Sequence, residues 1–334
     1  MNRPPEEFLT VDEHRLLNFA VSCFEKAGLA HDHAATISRL LVNSDLRGVR
    51  THGTRAVNGY CHAFEEGKSN PLPNIRKIHE MPTGIVLDGD GTLGYLPMVN
   101  ATETAIAKAR ELGLGIGLVR HIGHYGSAGH YTRMCMKEGC VGFSVQGYRG
   151  QGDARNADVK PQIGYFGNPP LSFGMPAGEE PPVVQDVATR ILADYQGSPE
   201  FDDLMTRIPA AFFKSIGYGA VATILGGALT GFSTSSADEV EDRWEGARHG
   251  GMVLAIHISS FMDESTYKDE VDRLVRDVRE TYAPMPGYDE ALFPGAIEEQ
   301  RHALHREEGI RYGELEQNNA KEVGERLGVA LPWD

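Results

Sequence analysis

No uninterrupted apolar run in this chain approaches the roughly 20 residues of a membrane-spanning helix, and the N-terminal MNRPPEEF has no apolar signal core. Neither a membrane protein nor an exported one is expected, and the cytoplasm is the expected compartment. Cysteine is scarce. Cys23, Cys61, Cys135 and Cys140 form no CxxC pair and are too few for a disulfide framework in 334 residues. They read as reduced thiols filling a core, and no metal site is expected despite 13 histidines. Positive charge is outweighed, with 32 Lys and Arg against 47 Asp and Glu and a net charge of −15. Such a balance opposes non-specific binding to nucleic acid or anionic membrane. Any anionic substrate must then be met by a local cluster of Arg, Lys or His. The Rossmann fingerprint is missing too. Gly113-Leu114-Gly115-Ile116-Gly117 follows a helical pattern and precedes a strand, whereas a pyrophosphate cradle needs the reverse order.

What is present is an ordinary globular balance, 41% hydrophobic and 24% charged, with enough chain for two lobes. Thr10-Val11-Asp12-Glu13 reads as a capping box opening a helix that Gly28 ends, and a second helix runs from about Asp32. A strand at Ile85–Leu87 leads into the tight turn Asp88-Gly89-Asp90-Gly91. Ala101 to Leu112 reads as a helix, Ile116 to Val119 as a strand, and Lys214 to Gly231 as a small-residue helix. A strand at Val253–Ile258, a helix at Glu270–Tyr282 and a helical segment from about Ile297 follow. Helices at both ends around a strand-rich middle predict an α/β (α+β) fold in two parts. Residues 1–80 with 270–334 form a helical lobe, and residues 81–269 a sheet-based lobe.

Two histidine segments stand out. The first, Ser44-Asp45-Leu46-Arg47-Gly48-Val49-Arg50-Thr51-His52-Gly53, brings three arginines (Arg47, Arg50, Arg55) within five residues of His52. A guanidinium fits a carboxylate bidentately, so one of them is a candidate anchor for an acidic substrate; others are expected to pair with Asp45, Glu65 or Glu66. The second, Arg120-His121-Ile122-Gly123-His124-Tyr125-Gly126-Ser127-Ala128-Gly129, places His124 among glycines just after a strand. An imidazole there is reachable and titrates near neutrality, which suits acid–base work. His121 and His130 are not expected to take part in chemistry, and His130 reads as helical surface.

In this order, the two segments resemble the malate/L-lactate dehydrogenase family. Those enzymes are nicotinamide-dependent reductases of 2-keto acids and cyclic imino acids with a non-Rossmann fold. The family's Leu-Arg-Gly and Ser-His-Gly pattern matches Leu46-Arg47-Gly48 and Thr51-His52-Gly53, with threonine for serine. Its Arg, usual four positions after the histidine, has its counterpart three positions on at Arg55. The family's His-Phe-Gly matches His124-Tyr125-Gly126, while its two asparagines are replaced. The resemblance implies His52 and His124 as catalytic residues, with Ser44, Arg47 and Arg55 binding substrate.

The cofactor side matches less closely. Gly167-Asn168-Pro169-Pro170 resembles Gly-Thr-Asn-Pro, and Asp186-Val187-Ala188-Thr189-Arg190 resembles Asp-Met-Ala-Thr-Ser. Lys214-Ser215-Ile216-Gly217 resembles Lys-Gly-aromatic-Gly. A Pro-Gly-Gly turn before Tyr165 is absent, the stretch from Ile191 to Phe213 is short, and Ala296 follows Phe293-Pro294-Gly295 where glutamate is usual. The resemblance implies Asp186, Thr189 and Lys214 as contacts to NAD or NADP, Arg190 suggests a 2′-phosphate by charge, and the assembly it implies is a homodimer. The function so implied is hydride transfer between NAD(P) and a small 2-hydroxy or 2-keto acid or a cyclic imino acid. The eroded cofactor motifs leave open a non-redox lyase or isomerase on the same scaffold. A non-catalytic binding protein is disfavoured by the paired histidines.

Overall fold

The protein is described here from a computed structural model covering residues 4–148, 167–192, 198–232 and 236–334. Tyr165 and part of the short stretch before Phe213 lie outside the described residues. In chain order the elements are β1 (Leu9–Val11), α1 (Glu13–Lys26), α2 (His31–Leu46), α3 (Val57–Glu65), β2 (Arg76–Met81), β3 (Gly84–Asp88), α4 (Tyr95–Leu112), β4 (Leu114–Ile122), α5 (Gly129–Lys137) and β5 (Cys140–Tyr148). They continue with β6 (Pro170–Met175), β7 (Val183–Ala188), α6 (Pro199–Arg207), α7 (Pro209–Gly226), α8 (Ser236–Arg243), β8 (His249–His257), α9 (Glu264–Thr281), α10 (Ala296–Glu308), β9 (Ile310–Tyr312) and α11 (Glu314–Leu327). The α/β class expected from the sequence is the one observed.

Seven strands form one sheet in the order β2-β3-β4-β8-β5-β6-β7, with only β3 and β4 parallel. A parallel pair needs a crossover, and α4 supplies it. Successive strand residues face opposite sides, and β4 shows why both faces are covered. Val119 points to a core made with α4 and α5, whereas Ile116 and Leu118 point to a smaller one containing Ala222 and Leu225 of α7. Gly115 and Gly117 occupy the α4 side. A Cβ on Gly115 would lie 2.0 Å from the Ala105 carbonyl oxygen, and one on Gly117 would lie 2.5 Å from that of Ala101. The glycine run that mimics a nucleotide fingerprint is thus a seat for a helix laid directly on the strand.

A third core joins the two ends of the chain, packing Leu16, Phe24, Ile37 and Leu41 against Tyr312, Ala320 and Val323. β1 pairs antiparallel with β9, stitching the N-terminal helices to α10 and α11. At the sheet's margins, every residue of β2 is exposed, while the Val184 amide of β7 donates to Pro294 O at 2.8 Å.

Several local expectations are corrected. Asp12, not Thr10, caps α1, accepting from the His14 and Arg15 amides at 2.9 and 3.0 Å, because Thr10 is used in β1. α2 runs on through Ser44 and Asp45 to Leu46. α7 begins at Pro209, so Lys214 lies inside the helix rather than at its start; Pro is suited to a first helical position and marks the true beginning. The segment Pro209–Thr230 is also long and apolar enough to cross a membrane by length and composition, and 28% of its apolar stretch is buried. His130 is buried, not surface.

Candidate active site

The end of β4 sets the position of His124. Pairing with β8 shifts register between Val119 and Ile122, a bulge that turns the strand end. His121 sits in this bulge with φ +53° and is fully buried, its Nδ1 2.9 Å from Asp88 Oδ2. This contact pins the bulge to the end of β3. Beyond it, the His124 carbonyl accepts from the Gly94 amide at 2.9 Å, anchoring the segment to the start of α4.

His52 arrives after α2 on a single 3-10 turn, Arg50–His52, followed by a second, Thr54–Ala56. Arg55 lies in that second turn. The two rings meet, with centroids 5.4 Å apart and planes inclined by 33°. The Tyr60 hydroxyl of α3 lies 2.6 Å from His124 Nδ1 and 3.2 Å from the Tyr95 hydroxyl. His52 Nδ1 is 2.9 Å from Thr51 Oγ1. Burial, helped by His52 and His249, lowers the His124 pKa to about 3. Burial also lowers that of His52, with Asp186 opposing it and Arg55 adding to it. Burial lifts the Tyr60 hydroxyl to about 12, so it remains a donor at neutral pH.

A third imidazole joins them. His130 on α5 lies with Nε2 3.2 Å from Ser44 Oγ, and burial, with Arg133, His52, Arg47 and His124 nearby, lowers its pKa to about 3. Asp186, at the end of β7, accepts from Ser127 Oγ at 2.5 Å and from the Gly129 amide at 3.0 Å, at the positive end of α5. This carboxylate lies close enough to His52 to raise its pKa.

The arginines separate by partner. Arg47 is buried and its Nη1 donates to Glu299 Oε1 at 2.5 Å; Arg133 approaches the same oxygen at 3.6 Å. Arg50 pairs with the buried Glu316. None of these is the local partner read from the sequence, because the acids come from α10 and α11, some 250 residues away. Arg55 makes no hydrogen bond or ion pair with any described residue, and it is the arginine whose charge bears on His52.

Just after β7, Thr189 is buried and its hydroxyl donates to Pro169 O at 2.7 Å, so that group is engaged within the protein. The Ser215 hydroxyl donates to Thr189 O at 2.6 Å and accepts from the Ile191 amide at 3.0 Å. This ties the loop after β7 to the α7 turn that carries Lys214. Lys214 is exposed, and the Nε and Nη2 atoms of Arg190 are buried without a partner among the described residues. Orphaned guanidinium nitrogens beside an exposed lysine fit the phosphates of a dinucleotide. No group of three or more metal-ligating side chains occurs among the described residues. Sequence reading missed Tyr60, His130, Arg133 and Glu299. His130 alone carried a signal, standing on the helix that opens just after His124.

A model of the malate/L-lactate dehydrogenase family matches residues 11–196 and 199–319. The chain belongs to that family of oxidoreductases. It is 26% identical over 344 residues to the L-sulfolactate dehydrogenase of Methanocaldococcus jannaschii, covering 93% of this chain and 95% of that one. Its identity to the ureidoglycolate dehydrogenase (NAD(+)) of Escherichia coli is 24% over 309 residues, covering 85% and 87%. Among solved structures, the malate dehydrogenase of Pyrococcus horikoshii shares the fold with a TM-score of 0.81, at 24% identity and 98% coverage of both chains.

Proposed function

We propose that this enzyme transfers a hydride between NAD or NADP and the C2 atom of a small 2-hydroxy or 2-keto acid or a cyclic imino acid, with His52, His124 and Arg55 around the reacting carbon. The observation that carries this reading is the facing pair His52 and His124, with Arg55, unpaired among the described residues, bearing on His52 by charge. The nicotinamide supplies or takes up the hydride when bound. Everything else falls to the side chains. Arg55 holds the carboxylate. A contact of 2.6 Å suits a hydroxyl donor and one of 2.9 Å an N–H donor. Tyr60 therefore donates to His124 Nδ1, and His124 presents Nε2–H to the substrate oxygen. His52 donates through Nδ1 to Thr51 and offers the Nε2 lone pair to the hydroxyl proton during oxidation. Asp186 stabilises the imidazolium so formed, and the proton returns along the same path in reduction. Ser44 and His130 close the substrate side, with Arg47 and Arg133 held against Glu299 behind them.

Lys214 and Arg190 are proposed to hold the dinucleotide phosphates, and Arg190 favours a 2′-phosphate by charge. The family's dehydrogenases support the redox reading over a lyase or isomerase. We further propose a cytoplasmic homodimer, in which a second copy covers the exposed Phe213, Tyr218, Val221 and Ile224 of α7; sedimentation tests the assembly. For the activity, nicotinamide fluorescence is followed during titration with NADH and NADPH, and small 2-hydroxy acids are then screened for reduction of the oxidised cofactor. Saturable binding with turnover is expected. No binding of either cofactor at millimolar concentration overturns the reading.

A further inference from the structure

We propose that Asp45 is a positioning residue for His52: its carboxylate, fixed at the last turn of α2, clasps the backbone at Thr54 and thereby sets the turn that presents the imidazole. Asp45 is buried, and the hydrogen bonds of its carboxylate go to Thr54. Its Oδ2 accepts from the Thr54 amide at 2.8 Å and from the Thr54 hydroxyl at 2.5 Å. The Thr54 hydroxyl is in turn bonded to the buried Tyr312 hydroxyl of β9. The carboxylate therefore grips the residue two positions after His52, across the joint between the two 3-10 turns.

Gly53 shows how tight this joint is. Its φ is −92° and its ψ −163°, which any residue adopts, so glycine is not needed there for conformation. It is needed for space, because a Cβ would lie 1.7 Å from Asp45 Oδ1 and 2.5 Å from its Cγ. The carboxylate lies over the backbone immediately after His52, and the turn cannot shift toward α2 without striking it.

The other end of the clasp is equally fixed. His305 of α10 places Nδ1 2.9 Å from Leu46 O and 3.2 Å from Asp45 O, satisfying the carbonyls at the end of α2. Glu316 lies close enough to act on Asp45 by charge and is paired with Arg50, which opens the His52 turn. The groups facing Asp45 are thus Thr54 and Arg50 from the turns, Tyr312 from β9, Glu316 from α11 and His305 from α10. Burial is the main influence on the carboxyl, raising its pKa to about 7, while the Thr54 hydrogen bonds pull it down. A buried carboxylate with a strong backbone grip is a stiff part, and stiffness is what a reacting imidazole requires. A misplacement of 1 Å costs about 10²-fold in rate.

The inference rests on the proposed role of His52 and is tested in the full chain with Asp45→Asn, Thr54→Val and Thr54→Ser. Asp45→Asn keeps one acceptor and removes the charge, Thr54→Val removes the hydroxyl, and Thr54→Ser restores it. Asp45→Asn and Thr54→Val are expected to lower kcat by about 10–100-fold while the nicotinamide Kd changes less than about twofold. Thr54→Ser is expected near the parent value. A second readout is independent of turnover. In 15N-histidine NMR spectra, the His52 ring signals are expected to move in Asp45→Asn while those of His249 stay in place. Unchanged kcat and unmoved His52 signals in a folded Asp45→Asn variant overturn the clasp. So does a loss of rate that follows thermal unfolding. A parent protein without turnover refutes the hydride-transfer reading alone, and the ring signals still decide on Asp45.

Discussion

The Tyr60 hydroxyl and His124 Nδ1 lie 2.6 Å apart, joining α3 to the segment that follows β4 of the sheet. The phenol is held protonated and the imidazole neutral, and the proposed donation from Tyr60 leaves the His124 ring proton on Nε2. In the proposed mechanism this separates the work of the two histidines, with His124 orienting the substrate and His52 moving its proton.

His52→Ala is expected to lower kcat by about 10²–10⁴-fold, the usual contribution of a positioned base. His124→Ala is expected to fall in the same range, whereas Tyr60→Phe, which loses only the tautomer lock, is expected to cost about 10-fold, near 1.4 kcal/mol. Steady-state kinetics of folded variants decides the order. A Tyr60→Phe enzyme slower than His124→Ala contradicts the assignment.

The arginines divide in a second experiment. Arg55→Ala is expected to weaken substrate binding by roughly 1.5–3 kcal/mol, as for a hydrogen bond to a charged group, with little loss of stability. Arg47→Ala is expected to destabilise the fold by about 3 kcal/mol, because it takes a buried partner from Glu299. Substrate affinities paired with urea unfolding curves check this, and amide analogues of the substrate are expected to bind less tightly to the parent. A substrate affinity that Arg55→Ala leaves intact removes Arg55 as the anchor.

Stability is expected to fall as pH drops below neutrality. Burial lowers His33 and His249 to about 4 and His124 and His130 to about 3. The unfolded chain takes up these protons near pH 6.5, while the native state refuses them until pH 3–4. Stability present above pH 6.5 is therefore lost on acidification, by about 1.4 kcal/mol per pH unit for each group. Asp45 works the other way, since its raised pKa favours the native state at lower pH and loses that contribution as pH rises through about 7. The four histidines outweigh it. Calorimetric Tm values between pH 7 and 5 are expected to decline, and a level or rising series is the contrary result.

Lys214→Ala is expected to raise the NAD(P)H Kd without lowering Tm, because an exposed lysine inside a helix contributes little to stability. Fluorescence titration beside a melting curve separates the two effects. Equal affinity in parent and variant would assign the phosphates elsewhere.

Backbone contact at the sheet gives a sharp contrast between two glycines. Gly115→Ala places a methyl against the Ala105 carbonyl oxygen and is expected to cost about 3 kcal/mol or more, at the upper end of overpacking. Gly217→Ala on α7 meets nothing within 4 Å and is expected to be neutral or to gain up to about 1 kcal/mol of helix propensity. Urea unfolding of both variants is the check.

What could be read in advance follows the reach of each interaction. Helix and strand periodicity, the histidine segments and the failed Rossmann order are local, and they located both rings at the right ends of their elements. Partners were not local. Arg47 met Glu299 and Arg50 met Glu316 because β1 and β9 bring the chain's ends together, which no spacing near His52 announces. His130 looked like surface because a helix face is judged by its own residues, and the Ser44 opposite it lies on α2. Thr189 keeps the family's residue while its hydroxyl goes to Pro169, so identity at a motif position did not fix what the group touches.

The margins of the sheet bear on how the chain behaves in crowded solution. An unpaired strand is a template for strands of other molecules, and proteins blunt such edges with charge or with covering segments. This sheet does one at each side. β2 exposes Arg76, Lys77 and Glu80, so a neighbouring chain would have to strip their hydration to add a strand. β7 is plugged from its own C-terminal region, where the Val184 amide is taken by Pro294 and a Cβ on Gly295 would lie 2.8 Å from that same nitrogen. The Phe293-Pro294-Gly295 turn thus serves as a guard against fibre growth, and damage to it would surface as precipitation on storage before any loss of catalysis.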